Sequence, residues 1–118
     1  MAVFTKSLKT ELRAQLLDQS RRIMAGIDAP GLAKNLKKYF PSLSQAILID
    51  HLPEQGEDIY LILINLNEIA VMEIPRGDLE TMKSYPEILQ VDTYRSKRLR
   101  RDSRQRLDMA LQLIGSTS

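Results

Sequence analysis

Between positions 95 and 106 the chain carries seven cations: Arg95, Lys97, Arg98, Arg100, Arg101, Arg104 and Arg106. Guanidinium groups offer planar forks that match phosphate oxygens and guanine edges, and an ammonium adds a compact point charge. The chemistry such a segment suits is contact with a polyanion, with counterion release and steep dependence on salt. Placed on a helix at about 100° per residue, Arg98, Arg101 and Arg104 form one stripe, while Arg95 and Arg106 fall beside or opposite it. Burying all of that charge is prohibitive. The segment is therefore expected to be solvated or partnered, and a basic helix of this kind suits a DNA groove or structured RNA. The competing readings are pairing with acids elsewhere in the chain or across a homodimer, plain solvation, and an acidic protein partner.

The opposite charge gathers in the middle of the chain. Residues 50–92 hold ten acidic and two basic side chains, whereas residues 1–49 hold eight basic and three acidic, and residues 93–118 seven basic and two acidic. The net charge of +2 conceals this division. Asp50, Glu54, Glu57 and Asp58 surround one turn, with Glu68 and Glu73 on the next. Carboxylates attract hard cations, but this spacing is not that of a calcium loop and no glycine-rich phosphate loop accompanies it. No metal site is expected. A solvated turn that blunts a sheet edge accounts for the cluster, and so does a docking surface for a cationic protein, in which Asp50, Glu54, Glu57, Asp58 and Tyr60 take part.

Catalytic chemistry finds little material. There is no cysteine and one histidine, His51. Ser42 and Ser44 lie a few residues upstream of it, without the surroundings of a nucleophile elbow, so His51 is expected to be a surface or hydrogen-bonded residue. Tyr60 and Tyr94 have the ring faces that stack on bases. With four tyrosines, two phenylalanines and no tryptophan, a stacking platform is not expected, and Tyr60, among aliphatics, reads as core or interface. No enzyme activity, cofactor or small-molecule ligand is predicted.

The elements that must position these groups follow from periodicity. The chain is 43% hydrophobic and 27% charged, within the range of globular domains, and 118 residues make one domain. Leu8, Leu12, Leu16 and Ile23 recur on one face of a helix over 7–25, closed by Gly26. Pro30 starts a second helix at 32–40, stopped by Pro41. Ala46–Leu52, Ile59–Ile64 and Ile69–Ile74 read as three strands of an antiparallel meander, with turns at 53–56 and 65–68. Asp78–Thr81 caps a short helix before Pro86, and Ile88–Val91 is either a fourth edge strand or loop. From Asp92 or Thr93 to Ile114 one long helix is expected. The fold class is α+β, with two N-terminal helices, the meander and a long C-terminal helix. The helices are expected on one sheet face, with Leu8, Leu12, Leu16, Leu36, Ile62, Ile64, Val71, Leu107, Leu111 and Ile114 in the core.

Ile59–Leu66, the most apolar stretch, is eight residues, against the about twenty of a membrane helix. No apolar run near Met1 makes a signal-peptide core, and a cytoplasmic protein without membrane contact is expected. The central strand is apolar on both sides, which suits a partner or homodimer on the second face. The leading functional expectation is accordingly a non-enzymatic binding or regulatory module, acting through protein–protein contact at the sheet face and acidic hairpin. Its alternative is a nucleic-acid-binding protein that uses residues 95–106.

Overall fold

Short turns fix the sheet. In a computed structural model, which describes residues 2–76, 85–97 and 99–116 (side chains from Lys9 to Gly115 within these), four strands form an antiparallel sheet in the order β1-β2-β3-β4. They are β1 (Ile47–Glu54), β2 (Glu57–Leu63), β3 (Glu68–Pro75) and β4 (Glu87–Gln90). Only Gln55 and Gly56 separate β1 from β2, and Gly56 adopts φ +84°, a conformation that a side chain disfavours. Gly56→Ala is expected to lower unfolding stability by about 1–2 kcal/mol. Equilibrium unfolding in urea measures this, and an unchanged midpoint would mean that the turn relaxes into another geometry. Between β2 and β3 the side chain of Asn65 closes the turn, its Oδ1 accepting from the Asn67 amide at 2.8 Å and its Nδ2 donating to Glu68 at 2.8 Å. The segment 87–90 pairs with β3 and so resolves as the fourth strand. The expected short helix after Asp78 lies outside the described residues.

Among the described residues four helices accompany the sheet: α1 (Ala2–Ala25), α2 (Pro30–Tyr39), α3 (Val91–Arg95) and α4 (Arg101–Ser116). Gly26, at φ +73°, ends α1, and Pro30 occupies the first turn of α2. Two cores lie on opposite faces of the sheet. The first joins Leu16 of α1 and Leu107, Ala110 and Leu113 of α4 to Ile47, Ile49, Leu61, Leu63 and Ile69 of the strands. The second joins Ile23 of α1 and Leu32 and Leu36 of α2 to Ile62, Ala70, Met72 and Ile74.

This corrects the expectation that all helices share one face. The second sheet face, expected to be open to a partner, is occupied: Ile62, Ala70 and Met72 are fully buried. Helix α2 supplies the cover, because Leu32 and Leu36 lie one turn apart and point together at the sheet. Leu12, Ile64, Val71, Leu111 and Ile114 pack around the cores while staying partly exposed.

A β-bulge interrupts β1. The register steps from Leu48, opposite Ile62, to Asp50, opposite Leu61, leaving Ile49 as the extra residue. Simple alternation would send Asp50 to the α2 side. With the bulge, Asp50 and Leu52 share the α4 side with Leu61 and Ile59, and His51 goes to the α2 side opposite Tyr60.

Candidate functional site

The C-terminal basic segment is not one continuous helix. It forms an elbow in which α3 ends at Arg95, the chain turns at Ser96 and Lys97, and α4 begins at Arg101. The Ser96 hydroxyl donates to the Thr93 carbonyl at 2.7 Å, and Leu99 packs against the first core. An unbroken helix would stack like charges three and four residues apart. The bend relieves that repulsion and turns Leu99 toward the core.

The bend gives the cations different fates. Arg95 pairs with Asp108 at 2.9 Å across the surface. Arg106 turns inward and is half-buried. It donates to the carbonyls of Leu48 at 2.9 Å and Ile49 at 3.2 Å, and to Gln19 Oε1 at 2.9 Å. Burial pulls its guanidinium below the ordinary value, with the nearby Asp50 charge opposing. Arg106 thus ties α1, β1 and α4 together, and its guanidinium is engaged within the fold although the sequence offers it for contact with a polyanion. Lys97, Arg100, Arg101 and Arg104 are exposed. None of these four makes an ion pair with a described carboxylate. Arg98 lies outside the described residues.

The acidic hairpin finds its cation within the sheet. Arg76, just beyond β3, donates two hydrogen bonds to Asp58, at 2.9 and 3.1 Å. The His51 ring, stacked on Tyr60 at 4.5 Å, bonds the same carboxylate through Nε2 at 2.9 Å. The Arg76 bonds and then the His51 bond lower the Asp58 carboxyl from 3.8 to about 2. A depressed carboxyl stabilises the fold above its unfolded value and loses that contribution as the folded group is protonated. Asp58→Asn is therefore expected to be less stable than the parent at pH 7, on the order of 1 kcal/mol given the exposure of Arg76. The gap should close as the pH falls from the ordinary 3.8 towards about 2. Urea unfolding across that range checks it. A gap independent of pH would assign the loss to shape and not to charge.

Glu54 and Glu57 face each other at the hairpin tip. Among the described residues no three His, Asp or Glu side chains converge as a metal would require. Tyr60 is half-buried under His51, and burial raises its hydroxyl, with the Asp58 charge adding to the effect. Tyr94, which the sequence offers as a ring for base stacking, is 5% exposed and is not available for it. Burial raises its hydroxyl, the Asp50 charge adds to this, and a hydrogen bond with Ser103 works in the opposite direction.

Between the α4 side of the β1–β2 hairpin and the elbow lies an open cleft of about 900 Å³. Leu48, Leu52, Leu89 and Leu99 line it with partly exposed apolar surface, and Lys97, Arg100, Arg106, Asp50 and Asp102 supply its charged groups. The β1 edge contributes little hydrogen-bonding capacity. The carbonyls of Leu48 and Ile49 are taken by Arg106, the His51 amide donates to Asp50 Oδ1 at 3.0 Å, and Pro53 has no amide hydrogen.

Neither the protein-family models, nor the curated proteins, nor the solved structures compared with the chain match it.

The site therefore rests on geometry alone. The structure brings Lys97 and Arg100 to the cleft and leaves Arg101 and Arg104 on the outer surface of α4. Asp50 lies at the cleft, whereas Asp58 and Tyr60 lie across the sheet with Arg76. Sequence reasoning missed Leu52, Leu99 and Asp102 as cleft residues, and Arg76 as the partner of Asp58. The last was accessible: antiparallel pairing through the Asn65–Glu68 turn sets Asp58 opposite Ile74, two residues from Arg76. The first three carry no signal along the chain.

Proposed function

We propose that this protein is a non-catalytic binding module that grips the phosphate backbone of a nucleic acid through the α3–α4 elbow. The observation that carries the reading is the set of four exposed cations, Lys97, Arg100, Arg101 and Arg104, without a carboxylate partner among the described residues. Pairing with the acidic sheet is one competing explanation for them, and Asp58 of that sheet instead takes Arg76. Unpaired surface cations gain when phosphates replace their counterions. The His51 ring is bonded to a carboxylate and stacked on Tyr60, which suits structure more than base catalysis. No helix among the described residues is long and apolar enough to cross a membrane, and we place the module in the cytoplasm.

Protein contact at the sheet face loses its surface, because α2 covers it. Contact at the hairpin keeps one: Leu52 is 44% exposed near Glu54. The deciding experiment is fluorescence anisotropy of labelled single-stranded and duplex oligonucleotides, at low and physiological salt, with the parent and with Arg101→Ala/Arg104→Ala. Saturable binding that weakens steeply with salt and drops in the variant is expected. Absence of binding at low salt would overturn the reading and return the weight to a protein partner, or a second copy, at the acidic hairpin.

A further inference from the structure

On the reading that the elbow holds phosphates, we propose that the cleft beside it takes one unstacked nucleotide of the bound strand, so that the protein prefers single strands to duplex. Both the size and the surface of the cleft suit a single nucleotide. At about 900 Å³ the cleft falls in the range of small-ligand sites, and a duplex cannot enter it without giving up a base. Leu52 and Leu99 present aliphatic faces to a flat ring, and the carboxylate of Asp102 accepts hydrogen bonds from an exocyclic amino group. Lys97 and Arg100 line the same cleft without a described carboxylate partner, which suits the phosphate joined to that base.

The cleft does not suit an added β-strand. A peptide adding to β1 needs free backbone groups along that edge. The carbonyls of Leu48 and Ile49 are already taken by Arg106 and the His51 amide by Asp50, and Pro53 has no donor. An occupant must then be recognised by side chains, as a nucleotide is, and not by a ladder of main-chain bonds. Tyr94 and Ser103 at the floor are bonded to each other and ask nothing of the ligand.

The chain has no tryptophan, so Leu52→Trp, at a position 44% exposed, places a single indole reporter in the cleft. We would titrate this variant with a single-stranded 12-mer, with the duplex of the same sequence and with a nucleoside monophosphate, and follow anisotropy with the parent and with Leu52→Gln. A single strand is expected to bind about tenfold tighter than duplex and to quench the indole. Leu52→Gln should weaken single-strand binding about fivefold and leave duplex binding within about twofold. Equal affinity for both forms, with no quenching, would overturn the cleft proposal while leaving the elbow reading intact. Quenching by the monophosphate at the concentrations where the 12-mer acts would make the cleft a site for free nucleotides, and would overturn the strand preference. No binding of either oligonucleotide would remove the elbow reading and this one together.

Discussion

Arg106→Ala is expected to cost about 3 kcal/mol of folding stability, more than the loss of any other cation in the basic segment. Its guanidinium makes three hydrogen bonds, two of them to main-chain carbonyls of β1 and one to Gln19 of α1. Bonds from a charged donor contribute roughly 1.5–3 kcal/mol each when the acceptor would otherwise stand partly buried. Water can reach the emptied space from the cleft and recover a share of that, which sets the estimate below a simple total. For a domain of this size about 3 kcal/mol corresponds to a melting point lower by about 10 °C. Arg106→Lys should recover less than half, because one ammonium cannot span acceptors on two elements. Thermal unfolding followed by circular dichroism measures both variants. A loss under about 1 kcal/mol in Arg106→Ala would show that α1 and α4 hold β1 without it. The same variant uncovers two carbonyls on a sheet edge, so concentration-dependent aggregation is expected to rise as well.

The largest effect on binding is expected from salt. Four phosphates neutralised by Lys97, Arg100, Arg101 and Arg104 give a log–log slope of about −2.8 on a single strand and about −3.6 on duplex. Raising salt from about 50 to about 200 mM then weakens single-strand binding about 50-fold. Arg101→Ala/Arg104→Ala removes two of the four contacts and leaves Lys97 and Arg100 in the cleft. Its single-strand slope should fall to about −1.4. Both residues are exposed on the first turn of α4, and removing like charges three apart does not harm a helix. Its melting point is therefore expected to match the parent's, which separates lost affinity from lost fold. A slope unchanged by the double substitution would place the phosphate contacts elsewhere, with the lysines of α2 as the next candidates.

Much of the frame was legible along the chain. Gly26 and Pro30 mark the junction of α1 and α2, and the Asn65–Glu68 turn fixes the pairing of β2 with β3. These are local signals, carried by residues with narrow backbone preferences or with side chains that bond their own turn. The elbow was not legible, because no glycine or proline falls between Asp92 and Ile114 to announce a break. Leu99 packs against the first core, much of which lies far away in sequence, and no residue near the elbow announces that contact. Arg106 belongs to the same basic segment as Arg101 and Arg104, and its carbonyl partners lie 57 and 58 residues away. The cover over the second sheet face has the same character. The spacing of Leu32 and Leu36 gives an apolar stripe, but a stripe does not say which surface it meets.

The extra residue in β1 has a consequence for anyone who substitutes or labels that strand. Before it, the odd positions 47 and 49 share the α4 side, and after it the even positions 50 and 52 do. A scan that changes every second residue from Ile47 onward would begin in one core and end on the opposite side of the sheet, mixing core losses with losses at the His51–Asp58 cluster. Flattening the bulge so that Ile49 itself paired with Leu61 would restore plain alternation, set Asp50 opposite Tyr60 on the α2 side and exchange the sides of His51 and Leu52. One backbone insertion thus keeps the titratable cluster and the apolar wall of the cleft on separate surfaces, so that each can change in sequence without disturbing the other.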